Sequence, residues 1–339
     1  EKGLKRIAWV FRHFVTRFVL EFRILARNWK NLKGLDALIV SGGGQLDDYW
    51  GGPFSHPFTL LKWSIASRLR GAYLFFVSVG AGPIRSKLSF VFIKRALLLG
   101  HYRTFRDEGS KALLGTLGFH SDDPVFPDIA HSIDIDFLGI DTQPTRAKRT
   151  IGIGPMSYFK QSFWPAYDDA IYGKYLGSLA GFLAWANANG YVLRFFPGEA
   201  GADTHAIRDL TNLLTQEYGI SPDSLICSQV ETVEALLREI SSTDIIVASR
   251  FHGVLLAHVL GKPVVALSYH PKIDHIMKNI GHEKYCLDIR SFTADALQSA
   301  FVNLEQNLTE AQRQVSLVEA SYREQLSQQY ERIIELIGR

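Results

Sequence analysis

Short apolar runs alternate along the chain with longer stretches in which apolar residues recur at helical spacing. Runs such as 36–41 (DALIVS) and 73–79 (YLFFVSV) are mostly apolar, which is typical of strands buried on both faces of a sheet. Further strands are predicted at 102–106, 150–154, 191–196, 224–227, 244–249, 263–268 and 284–287. Helices are predicted at 58–70, 88–99, 109–117, 168–189, 203–218, 231–240, 252–260 and 293–336. This alternation predicts an α/β fold with parallel sheets and helices on both faces.

One polar segment, 138–149 (LGIDTQPTRAKR), interrupts the alternation just before a new strand. Its composition, including Pro144, indicates a linker between domains. Residues 1–140 and 150–339 are therefore predicted to form two doubly wound, Rossmann-like domains with a cleft between them. Ligands of such domains bind outside the carboxyl ends of the strands, so the loops that follow predicted strands are the first places to look for chemistry.

The composition argues against several classes of protein. The chain has 339 residues, 47% of them hydrophobic, which is enough to bury one large core or two medium ones. Its two cysteines form no CxxC motif, which argues against a disulfide scaffold or structural zinc and fits the cytoplasm. A net charge of only +3 gives no overall footprint for nucleic acid, so no nucleic-acid partner is expected.

The first 33 residues differ from the rest because they carry nine Lys or Arg and two Glu, together with six aromatic residues. Such a basic segment can lie on an anionic membrane surface, so peripheral contact with the inner face of a membrane is one interpretation. A helix packed on its own domain, with a solvated basic face, is the favoured alternative. No apolar run reaches the about 18 residues of a membrane span, and no signal-peptide pattern is visible.

Two loops rich in small residues follow the first two predicted strands. Gly42, Gly43 and Gly44 come directly after the first strand, and Asp47 and Asp48 follow them. Glycine lets the backbone approach a ligand closely and turn its N–H groups toward an anion. A tight turn without any ligand explains the same glycines equally well.

The second loop carries Gly80 and Gly82 after the next strand, and a turn is again the alternative. Arg106 ends the third predicted strand and is followed by Asp107. The arginine could hold a carboxylate or phosphate through its two-pronged guanidinium, whereas Asp107 could simply cap a helix.

The densest group of polar residues follows the strand at 244–249. Ser249, Arg250, His252 and Gly253 lie where that strand gives way to a predicted helix, whose free N–H groups favour an anion.

The next strand ends in a similar cluster. Tyr269, His270 and Lys272 follow it directly. A functional role is favoured for both clusters because they occupy the strand ends where this fold class keeps its sites.

These residues together predict a cationic pocket for a small, multiply charged anion, formed by Arg106, Arg250, His252 and Lys272. No metal site is expected, because the histidines are scattered in sequence and no acidic cluster is present. No GxSxG motif and no nucleophile-like cysteine are present either.

Five segments, taken in order, resemble the polysaccharide pyruvyl transferase family over roughly residues 36–290. They are ALIVSGGGQLDD, FRDEGS, DPVFPDIAHSI, IGIGP and SRFHGVLLAHVLGKPVVALSYHPKID. The Arg-x-His-Gly and Tyr-x-x-Lys segments are the most specific part. The family is similar to two-domain GT-B glycosyltransferases, so the resemblance implies a GT-B-like fold.

The resemblance implies transfer of the enolpyruvyl group of phosphoenolpyruvate onto two hydroxyls of one sugar, giving a pyruvate ketal in bacterial exopolysaccharide or cell-wall glycan synthesis. Phosphoenolpyruvate would be the co-substrate, without cofactor or metal, and the acceptor a glycan or lipid-linked saccharide. Arg250 and Lys272 would bind the anionic groups, Arg106 would be a third clamp, and His252 would act as general acid or base.

The other candidate residues are divided between the two substrates. Gly42, Gly43, Gly44, Ser249, Gly253 and Tyr269 are assigned to the donor side. Asp47, Asp48, Gly80 and Gly82 are assigned to the acceptor side.

Two other functions stay open. Family members usually begin with a strand and a glycine- or asparagine-rich turn, whereas this chain begins with the basic segment, so a truncated, non-catalytic member is one alternative. A GT-B glycosyltransferase that uses a nucleotide sugar is the other. The sugar, its hydroxyls and the oligomeric state are not predicted.

Overall fold

The computed structural model describes residues 16, 19–27, 29–49, 51–141, 149–164 and 167–338. The chain divides into two compact units, residues 1–129 with 322–339 and residues 130–321. The predicted linker at 138–149 lies partly outside the described residues, because 142–148 are not among them. The same holds for most of the basic segment, of which residues 19–27 are helical.

The first unit contains, within the described residues, a three-stranded parallel sheet in the order β1-β2-β3. Its strands are β1 (Ala37–Ser41), β2 (Tyr73–Val79) and β3 (Tyr102–Phe105), and its helices are α1 (His56–Leu69), α2 (Lys87–Leu99) and α3 (Glu108–Thr116). The central β2 is buried along all but its first residue, as its continuous apolar sequence predicts. Ser86 and Asp107 cap α2 and α3 by accepting backbone N–H groups.

The second unit contains, again within the described residues, a six-stranded parallel sheet in the order β6-β5-β4-β7-β8-β9. The strands are β4 (Thr150–Gly154), β5 (Val192–Phe195), β6 (Leu225–Cys227), β7 (Ile245–Ala248), β8 (Val264–Ser268) and β9 (Cys286–Asp288). The helices are α4 (Asp169–Ala188), α5 (Ala202–Tyr218), α6 (Val233–Ser241), α7 (Phe251–Val259), α8 (Pro271–Asn279) and α9 (Ala294–Gln306). Short 3-10 helices occupy Trp29–Leu32, Ile129–Ser132, Pro222–Ser224 and Glu283–Tyr285.

The strand order of the second unit fixes where a ligand should bind. From β4 the chain runs outward to β6 and then returns to β7 on the other side of β4, so the order reverses between these two buried strands. A doubly wound sheet binds ligands at such a reversal, outside the carboxyl ends of the strands. Ser249 and Arg250 follow β7 directly at that edge.

A last helix, α10 (Leu308–Ile337), contributes to both units. Its residue Ile333 packs with Phe75 and Val77 of β2, so residues 322–339 group with the first unit, whereas the sequence had assigned them to the second domain. The predicted helix 293–336 is also two helices, since α9 ends before Asn307.

The sequence did not predict α8, because the residue that caps it is an unusual one. Pro271 occupies the first turn and His270 caps the helix, whereas Ser, Thr, Asp and Asn are the usual caps. The remaining predicted strands and helices agree with the structure to within a few residues. No helix among the described residues is both long and apolar enough to span a bilayer.

Candidate active site

Arg250 is held in place by two carboxylates of the second unit. It stands at the N-cap position of α7, directly after β7. Its Nε donates to Asp203 Oδ2 at 3.0 Å, and its Nη2 donates to Asp203 Oδ1 at 2.7 Å. The same Nη2 lies 2.7 Å from Glu199 Oε2. This two-pronged pairing fixes the plane of the guanidinium.

Asp203 is a buried anchor, with a side chain that is 0% exposed. Its carboxylate also accepts the backbone N–H groups of Ser157 at 3.4 Å and Glu199 at 2.9 Å. Burial raises the pKa of the Asp203 carboxyl, and the hydrogen bonds and charge of Arg250 oppose that rise. Gly198 makes room for the pair, because a Cβ there would stand 2.8 Å from Arg250 Cγ.

Ser249 belongs to the support of the site. It is buried, its backbone N–H donates to Gly154 O, and its hydroxyl lies 2.9 Å from the Tyr175 hydroxyl. Tyr175 in turn accepts the backbone N–H of Met156, and burial raises the pKa of this tyrosine to about 12. Ser249 therefore ties the loops after β4 and β7 to α4.

His252 and Lys272 approach the same phenyl ring. His252 is exposed in the first turn of α7, and its ring meets that of Phe251 edge-on with centroids 5.4 Å apart. Lys272, in the first turn of α8, places its Nζ 5.2 Å from the Phe251 centroid. The buried Phe251 thus brings a titratable imidazole and a cation to adjacent strand ends.

Tyr269 joins this group to an aromatic cluster. Its ring lies 6.3 Å from that of Tyr158 and 6.0 Å from that of Trp164, centroid to centroid. Burial raises the pKa of Tyr269, while the charge of Arg250 lowers it in part.

Gly253 packs at ordinary contact distance, since a Cβ on this glycine would lie 3.4 Å from the Cβ of Ala248.

The glycine loop of the first unit is closely packed. Gly42 and Gly43 both have positive φ, which favours glycine over other residues. A Cβ on Gly42 would stand 2.9 Å from Cγ1 of Ile129. Gly80 donates its N–H to Gly43 O at 2.7 Å, so the two predicted loops hydrogen-bond to each other.

The acceptor-side aspartates differ in their surroundings. Asp48 is buried and its carboxylate accepts the backbone N–H groups of Arg85 and Ser86 at 2.8 and 2.9 Å. Burial by itself raises the pKa of Asp48, but hydrogen bonds such as these, together with the charge of Arg85, outweigh it and lower the pKa overall. Asp47 is half-buried, accepts the N–H of Tyr49, and lies beside Gly82.

Arg106 is also paired with carboxylates. Its Nε lies 3.2 Å from Asp107 and its Nη1 3.4 Å from Asp128, and its side chain is mostly buried. A Cβ on Gly80 would stand 2.7 Å from Arg106 Nη2, so this glycine allows the arginine to lie against the loop. Asp107 at the same time caps α3, as the sequence suggested.

The structure brings six of the predicted residues together in the second unit: Ser249, Arg250, His252, Gly253, Tyr269 and Lys272. Arg106, the three-glycine loop, Asp47, Asp48, Gly80 and Gly82 lie in the first unit. Sequence reasoning missed Asp203 and Glu199, although both follow β5 and the same strand-end rule applied to them. Among the described residues, no group of three or more His, Cys, Asp or Glu is arranged to hold a metal ion.

Comparison with protein families decides the affiliation. A model of the family described as polysaccharide pyruvyl transferase matches residues 4–271, which is most of the chain. The chain belongs to the polysaccharide pyruvyl transferase family. Membership of this family places the protein among transferases and in polysaccharide biosynthesis. No protein of curated function matches its sequence significantly.

Solved structures similar to this pyruvyl transferase family member share its fold at low identity. An Escherichia coli trehalose-6-phosphate structure bound with UDP-2-fluoroglucose has a TM-score of 0.57 and 10% identity, covering 96% of this chain and 78% of that one. A UDP-GlcNAc 2-epimerase from Methanocaldococcus jannaschii has a TM-score of 0.53 and 10% identity, covering 84% and 73%. The Neisseria meningitidis UDP-GlcNAc 2-epimerase bound to UDP-GlcNAc has a TM-score of 0.52 and 13% identity, covering 83% of this chain and 70% of that one. The predicted α/β, Rossmann-like and GT-B-like fold is confirmed.

Proposed function

We propose that the protein transfers the enolpyruvyl group of phosphoenolpyruvate to two hydroxyls of one sugar unit, forming a pyruvate ketal and releasing phosphate. The observation that carries the proposal is the arrangement of Arg250, His252 and Lys272 at the carboxyl ends of β7 and β8, next to the reversal of strand order. Phosphoenolpyruvate carries a phosphate and a carboxylate, and a site with two cations suits both groups.

The reaction needs two carbon–oxygen bonds to form and one to break. Carbon 3 of phosphoenolpyruvate gains a proton and becomes a methyl group, while carbon 2 accepts the oxygens of two sugar hydroxyls. The bond from carbon 2 to the phosphate oxygen breaks. The two sugar hydroxyls lose two protons in total. One of them accounts for the proton that carbon 3 gains, and the other leaves with the released phosphate.

The side chains have separate roles in this scheme. Arg250 and Lys272 bind the anionic groups and stabilise the charge that develops on the leaving phosphate. His252 protonates carbon 3 or takes a proton from a hydroxyl, because imidazole titrates near neutral pH. Arg106, Gly42 to Gly44 and the acceptor-side residues stay proposals for the first unit, with no cofactor or metal in the scheme.

The proposed setting is bacterial exopolysaccharide or cell-wall glycan synthesis in the cytoplasm, with a glycan or lipid-linked saccharide as acceptor. Peripheral contact with an anionic membrane is part of this proposal, and a specific surface supports it. We define the basic apolar face as Phe22, Ile65 and Leu69, which border one open cavity, together with the exposed residues that neighbour Phe22 in the sequence, Leu20, Arg23, Arg27 and Lys30.

The basic apolar face combines uncovered hydrocarbon with positive charge. Phe22 is 64% exposed and Leu69 is 72% exposed, and both border an open cavity of about 210 Å³ beside α1. Apolar side chains that enter the acyl boundary and cations that meet anionic headgroups are the two contributions to interfacial binding.

Phosphate release from phosphoenolpyruvate tests the reaction. Purified protein should release phosphate only when a suitable galactosyl, glucosyl or mannosyl acceptor is present. His252→Ala should lower kcat by about 10²- to 10⁴-fold, the usual effect of losing a general acid or base. His275→Ala, a change at an exposed histidine on α8, should leave the rate unchanged.

The nucleotide-sugar alternative gives a different result in the same samples. It is supported if phosphoenolpyruvate produces neither phosphate release nor a thermal shift while a UDP-sugar stabilises the protein.

A further inference from the structure

Arg250 faces more negative charge than it carries. Its guanidinium contacts both Asp203 and Glu199, so one positive charge stands against two carboxylates. An anionic substrate that approached Arg250 would meet a net negative charge there, and Lys272 at the neighbouring strand end brings the sum of the four charges only to zero. One carboxylate must therefore leave before Arg250 can bind an anion favourably.

The two carboxylates differ in their freedom to leave. Asp203 is fully buried, makes two bonds to the guanidinium and accepts two backbone N–H groups. Moving it would leave a buried charge without partners, which is costly. Glu199 lies on the loop between β5 and α5, and its side chain is 59% exposed, so water can solvate its carboxylate wherever it moves.

We propose that Glu199 is a placeholder that occupies the anion position on Arg250 Nη2 and is displaced by the anionic group of the substrate. Asp203 is the permanent partner that keeps the guanidinium plane fixed while the exchange takes place. The site thereby selects for ligands whose anion binds Nη2 better than a tethered carboxylate does. The identity of that ligand as phosphoenolpyruvate rests on the proposed function, whereas the exchange itself applies to any phosphate or carboxylate.

Glu199→Gln removes the competing charge and keeps the size of the side chain. An exposed ion pair contributes about 0.2–1 kcal/mol, so its loss should tighten anion binding by about 1.4- to 5-fold. Glu217→Gln is the matched control, because Glu217 is an exposed glutamate on α5 and its replacement changes the net charge equally. Isothermal titration of the full chain with inorganic phosphate and, separately, with phosphoenolpyruvate measures the affinities.

A second variant shows whether the effect passes through the guanidinium. Arg250→Lys keeps a cation beside Asp203 but removes the nitrogen that Glu199 contacts. In this background Glu199→Gln should produce little or no gain, as a coupled pair requires. A general effect of surface charge would produce the same gain in both backgrounds and would overturn the proposal.

The two ligands separate failure of this inference from failure of pyruvyl transfer. Tighter phosphate binding by Glu199→Gln, without any binding of phosphoenolpyruvate, supports the exchange and counts against the proposed reaction. Equal or weaker binding of phosphoenolpyruvate by Glu199→Gln, relative to the unmodified protein, overturns the exchange and leaves the reaction standing. Absence of binding of either ligand to both proteins overturns both.

Discussion

His258 is a polar side chain that is buried without hydrogen-bond partners among the described residues. It lies on α7, six residues after His252, and is fully buried. Neither of its ring nitrogens has a hydrogen-bond partner among the described residues. The ring of His282 lies 6.5 Å away, centroid to centroid, and His131 also lies close enough to repel a charge on His258. Burial therefore lowers the pKa of His258 well below 6.5, with these histidines adding to the shift.

The stability of the second unit should consequently fall in mild acid. Below about pH 6.5 the unfolded chain takes up a proton at this histidine while the folded chain does not, so protons favour unfolding. The neutral, buried His258 therefore lowers the free energy of unfolding by nothing above that pH, and by more and more as the pH falls below it. His258→Leu removes the group that binds this proton. As the pH falls below about 6.5, the difference in free energy of unfolding between the variant and the unmodified protein should therefore change in favour of the variant, by up to about 1.4 kcal/mol per pH unit.

Urea titrations between pH 7.5 and 5 measure this difference. His275→Leu controls for the loss of an imidazole at an exposed position on α8. Parallel pH profiles for the unmodified protein and His258→Leu would show that the buried ring is not the acid-sensitive group.

The residue types of the candidate site were predictable from sequence, but their partners were not. Arg250, His252 and Lys272 follow strands whose continuous apolar sequence marks them as buried, and position after such a strand is a local signal. The pairing of Arg250 with Asp203 joins residues 47 positions apart, and no periodic pattern encodes it. The placement of Asp48 under two backbone N–H groups of the next loop depends on tertiary packing in the same way.

At the scale of elements, the helix at residues 19–27 is covered along one side only. Glu21 and Leu25 are half-buried beside α1, where Glu21 pairs with Lys62, whereas Leu20, Phe22 and their basic neighbours are exposed. The favoured interpretation of the sequence, a packed helix with a solvated basic face, accounts for the first observation. It does not account for exposed large apolar side chains, which mark interaction surfaces when they cluster.

The proposed membrane binding through the basic apolar face should depend on both its apolar and its basic residues. The double change Phe22→Ser and Leu69→Ser should lower the partition coefficient onto vesicles of anionic lipid by about 100-fold or more, since two apolar side chains at about 1.5–3 kcal/mol each contribute at least about 3 kcal/mol when buried. Binding should also weaken in high salt and be weak on neutral vesicles.

Phe137→Ser is the matched control, because Phe137 is an exposed aromatic residue of the second unit, outside this face. Equal binding of all these proteins to neutral and anionic vesicles, or a dimer that disappears in the Phe22→Ser and Leu69→Ser variant, would contradict the proposed membrane contact.

At the scale of the whole molecule, the sequence predicted the two α/β units but not the return of the chain to the first one. The strand–helix alternation is a repeating local pattern and fixes the fold class. The return depends on α10, whose residues 322–337 carry the contacts to β2. One of them is specific: Gln329, fully buried, donates from Nε2 to the Ser78 hydroxyl at 3.1 Å. Ser78 has a φ of +49°, an unusual value for serine, and its N–H donates to Thr104 Oγ1.

If α10 completes the first unit, one face of its last turns should stabilise that unit and the opposite face should not. Ile333 is 6% exposed against Phe75 and Val77, whereas its neighbour Ile334 is 69% exposed. Ile333→Ala should lower the free energy of unfolding of the first unit by about 2–4 kcal/mol, because it removes buried methyl groups and leaves a cavity. Ile334→Ala should change it by less than about 0.5 kcal/mol. Calorimetry or hydrogen exchange of β2 amides in the full chain compares the two, and equal effects would show that residues 322–337 do not support the sheet of the first unit.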